Sequence, residues 1–330
     1  MNFKLIIVNT LMLLTTALSS CVPTFFFQEP SYDTSKITFQ NLSLFNQREA
    51  PTDKPHWKGN WIFRRERLAS IDQTLREAKP DILILQEVMA KQNSPYDSDQ
   101  YILGAGALLG YDWQNVQIET YQDTHEVESL SVVSGLPVYK DPYEDERKRM
   151  WPLGHGSFLA AFIVTMENQE IAIFNLKISE QVAGQGIWYQ YIEDRIKEYI
   201  SRYKLCPKRI VVSGSFESPV NQEDYQTMLE NLQLSDSSLG FCEQENNCYT
   251  QTTENPIFKL SRGDARPRRV SRILTHKSSL VYSSNRNFNS PNWQQQFIKF
   301  FTERKINPTQ NYGWISSIRF GRCRGSYTPQ

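Results

Sequence analysis

Lys79-Pro80-Asp81-Ile82-Leu83-Ile84-Leu85-Gln86-Glu87-Val88 sets four consecutive aliphatic residues between a proline and two polar side chains. Successive residues of a strand point to opposite faces, so an unbroken apolar run of this length predicts a strand covered on both sides. Upstream, Leu68, Ile71, Leu75 and Ala78 recur at helical spacing and predict a helix over 62–78, which Pro80 stops. A helix feeding a doubly covered strand is the unit of an α/β domain.

The pattern repeats outward from this unit. Ile37 to Asn46 is a β-rich stretch, and Leu130–Val133, Phe158–Val164, Ile171–Leu176 and Ile210–Val212 are further apolar runs of strand length. Ile192, Ile196 and Ile200 line one face of a helix between two of them. Near the end of the chain Ser290-Pro291 reads as a helix start, with Trp293, Phe297 and Phe301 as its buried stripe. Trp314–Phe320 reads as a last strand. One α/β domain over 36–330 accounts for all of these, without internal repeats.

The first 35 residues read differently. Lys4 precedes a largely apolar run, Leu5 to Leu18, too short to span a bilayer, and Leu18-Ser19-Ser20-Cys21 matches a bacterial lipobox. The expected layout is a signal peptide over 1–20, acylation of Cys21 and a tether over 21–35 rich in Pro, Ser and aromatics. Val22 follows the cysteine where a retention signal would place Asp, which favours the outer membrane of a bacterial envelope. Basic and acidic side chains balance at 36 each, so no global field gathers nucleic acid or other polyanions. Cys206, Cys242, Cys248 and Cys323 remain in a compartment that permits oxidation, and pairs Cys242–Cys248 and Cys206–Cys323 are expected, with free buried thiols as the alternative.

In order and spacing, Arg64 to Ile71 followed by Lys79 to Val88 resembles the helix and strand that carry the metal-binding glutamate of the endonuclease/exonuclease/phosphatase superfamily. The resemblance implies a DNase I-like fold, a four-layer α/β/β/α sandwich with two mixed β-sheets. It makes Glu87 the ligand of a single Mg²⁺, a hard cation that accepts few protein carboxylates; the alternative is a solvated loop glutamate. It implies an asparagine from the preceding strand, Asn46 or its rival Asn41. Leu130 to Val138 resembles the family's strand and Pro-aliphatic turn, a scaffold segment.

The later signatures keep the frame and change the chemistry. The family's Asn-x-His corresponds to Asn175-Leu176-Lys177, with lysine in the histidine position. Gly-Asp-Phe-Asn becomes Gly214-Ser215-Phe216-Glu217, and the aspartate of Arg-Ile-Asp becomes Ser271. The final Ser-Asp-His has no counterpart in Tyr312 to Ile318. By alternation Asn175 with Lys177, and Ser215 with Glu217, face one cleft. Losing one catalytic acid or base commonly removes about 10²–10⁴ in rate, and several are replaced together here. The expectation is an envelope lipoprotein with a catalytically impaired phosphodiesterase domain, binding a phosphorylated lipid, a nucleotide or a protein. Two alternatives stand beside it. One is an active metal-dependent phosphodiesterase rebuilt from Glu87, Asn46, Glu217 and His155 or His276; the other is a structural lipoprotein. Tyr249-Thr250 and Glu254-Asn255-Pro256 resemble the sphingomyelinase-like branch. The basic segment Lys259, Arg262, Arg266, Arg268, Arg269 and Arg272 reads as a headgroup or phosphate contact, or as a solvated loop offset by Asp264.

Overall fold

The run from Ile82 opens β2 (Ile82–Lys91), and its four aliphatic residues are all buried. This computed structural model describes residues 36–43, 78–91, 110–119, 126–140, 149–167, 169–179, 182, 185–216, 223–242, 249–250, 269–286, 297–298, 304–305, 313–321 and 323. Beside β2 lie β1 (Ile37–Ser43), parallel to it, and β4 (Glu126–Ser134), antiparallel. Adding β3 (Asp112–Glu119), β14 (Trp314–Arg319) and β11 (Leu280–Arg286) gives a six-stranded sheet of order β11-β14-β1-β2-β4-β3.

A second six-stranded sheet has the order β5-β6-β7-β8-β10-β9. Its strands are β5 (Met150–Gly154), β6 (Ser157–Met166), β7 (Gln169–Ile178), β8 (Ile210–Phe216), β9 (Leu234–Asp236) and β10 (Ser271–His276). Each sheet holds one parallel pair at its centre, β1 with β2 and β7 with β8, and both sheets are therefore mixed. The apolar runs of the sequence fall in β2, β4, β6, β7 and β8, as their composition predicts.

Strand alternation divides the side chains of the second sheet. Ala172, Phe174, Leu176 and Ile178 of β7 point outward into a core with Ile192, Ile196 and Tyr199 of α1 (Ile187–Arg202) and Tyr225 and Met228 of α2 (Glu223–Asn231). The helical spacing of Ile192 and Ile196 thus marks the face that packs on the sheet, and Ile200 is partly buried at its edge. The other face of this sheet meets the first. Within the second sheet Gly214 of β8 approaches β7 so closely that a Cβ would overlap the Leu176 carbonyl oxygen. Two packed sheets with helices over the second supply the α/β/β/α sandwich; of the helix expected over 62–78 only Ala78 is described, and it is helical.

One expected element is replaced. Phe297 belongs to β12 (Phe297–Ile298), paired antiparallel with β13 (Arg304–Lys305), and not to a helix from Ser290. Adjacent aromatic and β-branched residues favour a pleated pairing, and here this outweighs the fourfold spacing of aromatics. The other residues of that expected helix lie outside the described residues.

The chain is also cross-linked. Cys206, between α1 and β8, is bonded to Cys323, beyond β14, with Cα atoms 6.3 Å apart. Cys242 is disulfide-bonded as well; its expected partner Cys248 lies outside the described residues, as do Cys21 and the whole segment 1–35.

Candidate functional site

The parallel pairs run the same way to one end of the sandwich, and their ends carry the residues singled out in the sequence. Across the second sheet Lys177 of β7 is in register with Ser215 of β8, which is in register with Ser271 of β10. Across the first sheet Ser43 of β1 is in register with Gln86 of β2, next to Glu87. These two rows face each other across the sheet interface, and they are called the floor of the candidate site below.

Glu87 is held in an unusual way. Its φ is +55°, in the left-handed region that non-glycine residues seldom occupy, and the β2–β4 register shifts between Leu85 and Val88. The bulge turns the carboxylate off the regular alternation. Ser43 Oγ donates to Glu87 Oε2 at 2.6 Å, and the Lys177 ammonium lies 3.5 Å from Oε1. The two charged side chains come from different sheets and are each about one quarter exposed, 22% for Lys177 and 26% for Glu87.

Below this pair the sheets are joined by three amides. Gln86 Nε2 donates to Asn41 Oδ1 at 2.9 Å and to Asn175 Oδ1 at 2.7 Å. Asn41 Nδ2 donates across the interface to the carbonyls of Gly214 and Arg272, and Asn175 Nδ2 donates in the opposite direction to those of Leu85 and Ser131. All three side chains have no exposure to solvent. Asn41 and Asn175, expected in the cleft as ligand-facing groups, therefore spend both amide hydrogens on the opposing sheet and brace the floor from beneath. Asn46 and Glu217 lie outside the described residues.

The two serines close the row. Ser215 is 8% exposed and Ser271 1%, and Ser271 Oγ has no hydrogen-bond partner. Thr250 Oγ1 accepts from the backbone N–H groups of Val270 and Ser271, so the threonine of Tyr249-Thr250 fixes the start of β10. Arg269 and Arg272, read in sequence as part of a basic loop, are inside the protein. Arg269 pairs with Asp236 at 2.5 Å and lies over the Trp314 ring. Arg272, 2% exposed, donates to Tyr225 Oη and lies over the rings of Tyr225 and Phe216. Their aliphatic stems and planar heads suit such packing, so these two arginines are not a solvated face. Glu254, Asn255, Pro256 and the basic residues 259–268 lie outside the described residues.

The histidines considered for a rebuilt centre are placed as follows. His276 is at the far end of β10 from Ser271, bonded to Ser278 and Gln233. His155 is exposed in the turn between β5 and β6.

The chemistry of this floor does not match a divalent metal centre. A hard dication would take a carboxylate oxygen at about 2.1 Å, beside the ammonium already drawn to Oε1, and like charges repel at that range. Serine stands at both neighbouring positions, 215 and 271, so among the described residues the row adds no second negative charge. Among the described residues no three His, Cys, Asp or Glu side chains gather as a metal cluster. The sequence indicated the substitutions one by one; the meeting of Lys177 with Glu87, and the part played by Ser43, depend on which strand ends face each other across the sheets.

No protein-family model and no curated protein matches the sequence. Solved structures do match the fold. An endonuclease/exonuclease/phosphatase family protein from Bacteroides thetaiotaomicron aligns with 87% of this chain and 98% of its own, at a TM-score of 0.59 and 14% identity. One from Leptotrichia buccalis aligns with 87% of this chain and 100% of its own, at 0.53 and 12%. Truncated Caenorhabditis elegans TDP2 aligns with 86% of this chain and 98% of its own, at 0.54 and 11%. The chain has the endonuclease/exonuclease/phosphatase fold.

Proposed function

We propose that the chain is a lipid-anchored envelope protein whose endonuclease/exonuclease/phosphatase-fold domain binds a phosphate-bearing ligand in the cleft at Lys177 without hydrolysing it. The observation that carries this reading is the pairing of Lys177 with Glu87. It engages the one carboxylate on the described floor where the resemblance requires metal binding, and it puts an ammonium where that resemblance requires an imidazole. An ammonium binds phosphate oxygens as a point charge, and the Ser215 hydroxyl on the same row donates to oxygens without activating water. Hydrolysis needs a group that moves a proton near neutral pH, and the aspartate and histidine positions of the superfamily hold none here. Membrane attachment is supported by the lipobox at Cys21 and the tether over 21–35. The balanced charge favours a small phosphorylated ligand over a long nucleic acid.

The mature, acylated protein in detergent tests this directly. It is titrated with inorganic phosphate, a nucleoside monophosphate and a short-chain phospholipid, then incubated with a phosphodiester reporter and Mg²⁺. The expected outcome is saturable binding of at least one phosphate compound, weakened at least tenfold by Lys177→Gln with Ser215→Ala, and no turnover above buffer. Mg²⁺-dependent turnover that disappears in Glu87→Gln would replace this reading with an active hydrolase. Absence of binding to all three compounds would favour a structural envelope role.

A further inference from the structure

We infer, resting on the lipid anchor proposed above, that the domain docks on an anionic bilayer through the corner around the β10–β11 turn, with Glu87 and Lys177 turned away from that membrane. The phosphate-bearing ligand then reaches the site from solution and not from the anchoring leaflet.

Strand direction carries the orientation. β1 starts just after Lys36, where the segment 21–35 joins the domain, and ends at Ser43, whose hydroxyl holds Glu87. Seven steps of about 3.3 Å put Lys36 about 23 Å from Ser43 along the strand. β2 is parallel to β1, and Lys177 meets Glu87 at the same end of the sandwich as Ser43. The attachment point and the candidate site are therefore at opposite ends of the domain. β14 is antiparallel to β1, and β11 is antiparallel to β14, so the end of β14 and the start of β11 lie beside Lys36.

The surface at that corner is apolar at its tip and basic around it. On the edge strand β11, Leu280 is 55% exposed and Tyr282 44%. Lys36 Nζ lies 5.7 Å from the centre of the Tyr282 ring, and exposed Arg319 is in register with Leu280. Lys277 is exposed in the turn itself. Lys208, exposed ahead of β8, is close enough to add to burial in depressing the His276 pKa. The Cys206–Cys323 bond ties the loop of Lys208 to the segment after β14, which keeps these groups together. The acidic group facing Lys36, Asp81, is half-buried and accepts the Thr38 N–H. An aliphatic chain and a phenol ring bordered by cations suit the boundary of a bilayer with anionic headgroups. Each basic side chain near such a surface strengthens attachment about fivefold.

The tether makes a surface of this size sufficient. A flexible chain over 21–35 has a root-mean-square span of about 20 Å, which offers the corner to the leaflet at high effective concentration. At full stretch it reaches about 50 Å, enough for an undocked domain to roll over. Docking, and not the anchor alone, sets which end faces the bilayer.

The experiment places the full mature, acylated chain in vesicles of phosphatidylcholine with about one third phosphatidylglycerol, in pure phosphatidylcholine vesicles and in detergent. An amine-reactive reagent labels the lysines, and mass spectrometry reads each one. Expected on anionic vesicles is at least about threefold protection of Lys36, Lys208 and Lys277 relative to detergent, lifted by high salt. Leu280→Ser with Tyr282→Ser is expected to weaken it; should that variant fail to fold, Lys208→Glu with Lys277→Glu, read at Lys36, takes its place. Phosphate affinity on the vesicles is expected within about twofold of that in detergent, well under a tenfold change. Equal reactivity of the three lysines in anionic vesicles and detergent overturns the inference, and so does equal protection on neutral vesicles. Phosphate binding present in detergent and lost on vesicles overturns it too, because the site would then face the bilayer. Phosphate binding absent from both refutes only the ligand proposed above, and the lysine pattern still decides the orientation. A mature chain whose mass shows no acyl group at Cys21 refutes the anchor. Sedimentation of that chain with anionic vesicles then decides: salt-sensitive binding weakened by Lys208→Glu with Lys277→Glu supports the docking corner, and absence of binding overturns it.

Discussion

At the scale of single residues, Gln86 has the most demanding position. Its amide nitrogen supplies both hydrogens to asparagines that in turn bridge the two sheets, all in a region closed to solvent. Replacing it with leucine leaves two amide oxygens buried without donors, and each such loss costs about 1–3 kcal/mol. Gln86→Leu is therefore expected to lower the unfolding free energy by about 2–6 kcal/mol, measured in urea. His276 gives a second residue-scale expectation, in pH. Burial first and Lys208 second depress its pKa below the ordinary histidine value, and Ser278 N–H donates to Nδ1, which leaves Nε2 to donate to Gln233. The unfolded chain takes up its proton near pH 6.5, as a free histidine does. The folded protein resists until lower pH, so the unfolded state holds more protons in that window. The stabilisation from neutral His276 is present above about pH 6.5 and is lost as pH falls through the depressed folded value. His276→Gln should flatten the slope of stability against pH below 6.5; an unchanged slope would assign it to other groups.

At the scale of elements, α1 couples sequence pattern to packing most directly. Ile192 and Ile196 are fully buried against Phe174, Leu176 and their neighbours on the outer face of the second sheet. Ile196→Ala removes three carbons from a closed interior and leaves a cavity. The expected loss is about 2–5 kcal/mol, with the denaturant slope unchanged because the same surface is exposed on unfolding. Elements of this kind were legible in the sequence because burial leaves a pattern: α1 from its spaced isoleucines, and β2, β4, β6, β7 and β8 from unbroken aliphatic runs. β11 and β5 were not, since edge strands with exposed or half-buried residues, as in Leu280 to Arg286, carry no such run. The strand at Phe297 was misread because three aromatics four apart satisfy a helical template whatever the backbone does. For the facing strand ends, the sequence singled out Glu87, Lys177, Ser215 and Ser271 one by one. It did not reveal that Lys177 reaches Glu87, or that Asn41 and Asn175 turn to the opposing sheet, because those facts depend on the stacking of two sheets and not on neighbours along a strand. The two arginines of the basic segment show the same limit, since their charge suggested solvent while their stems and planes lie against Trp314, Tyr225 and Phe216.

At the scale of the whole molecule, two sheets of similar construction carry the cleft between their parallel pairs, so the site depends on their relative position. Two kinds of link hold it. The buried amides join the sheets beneath the floor, and the Cys206–Cys323 bond joins the α1–β8 connection of the second sheet to the segment following β14 of the first. The bonded residues are 117 apart in sequence. Closing a loop of that size restricts the unfolded chain by about 4–5 kcal/mol in the chain-entropy account, and loss of a native disulfide generally costs about 2–5 kcal/mol. Cys206→Ser with Cys323→Ser is therefore expected to unfold at a clearly lower urea midpoint than wild type under oxidising conditions. Reductant acts on the Cys242 bond too, so the double serine variant isolates the contribution of this one. Because the bond lies away from Glu87 and Lys177, phosphate affinity of the folded variant should stay within about twofold of wild type, well under the tenfold that 1.4 kcal/mol represents. An unchanged midpoint would mean that the sheets are held by the amide network and packing alone, while a large loss of phosphate affinity in a folded variant would mean that the cross-link sets the spacing of the cleft itself.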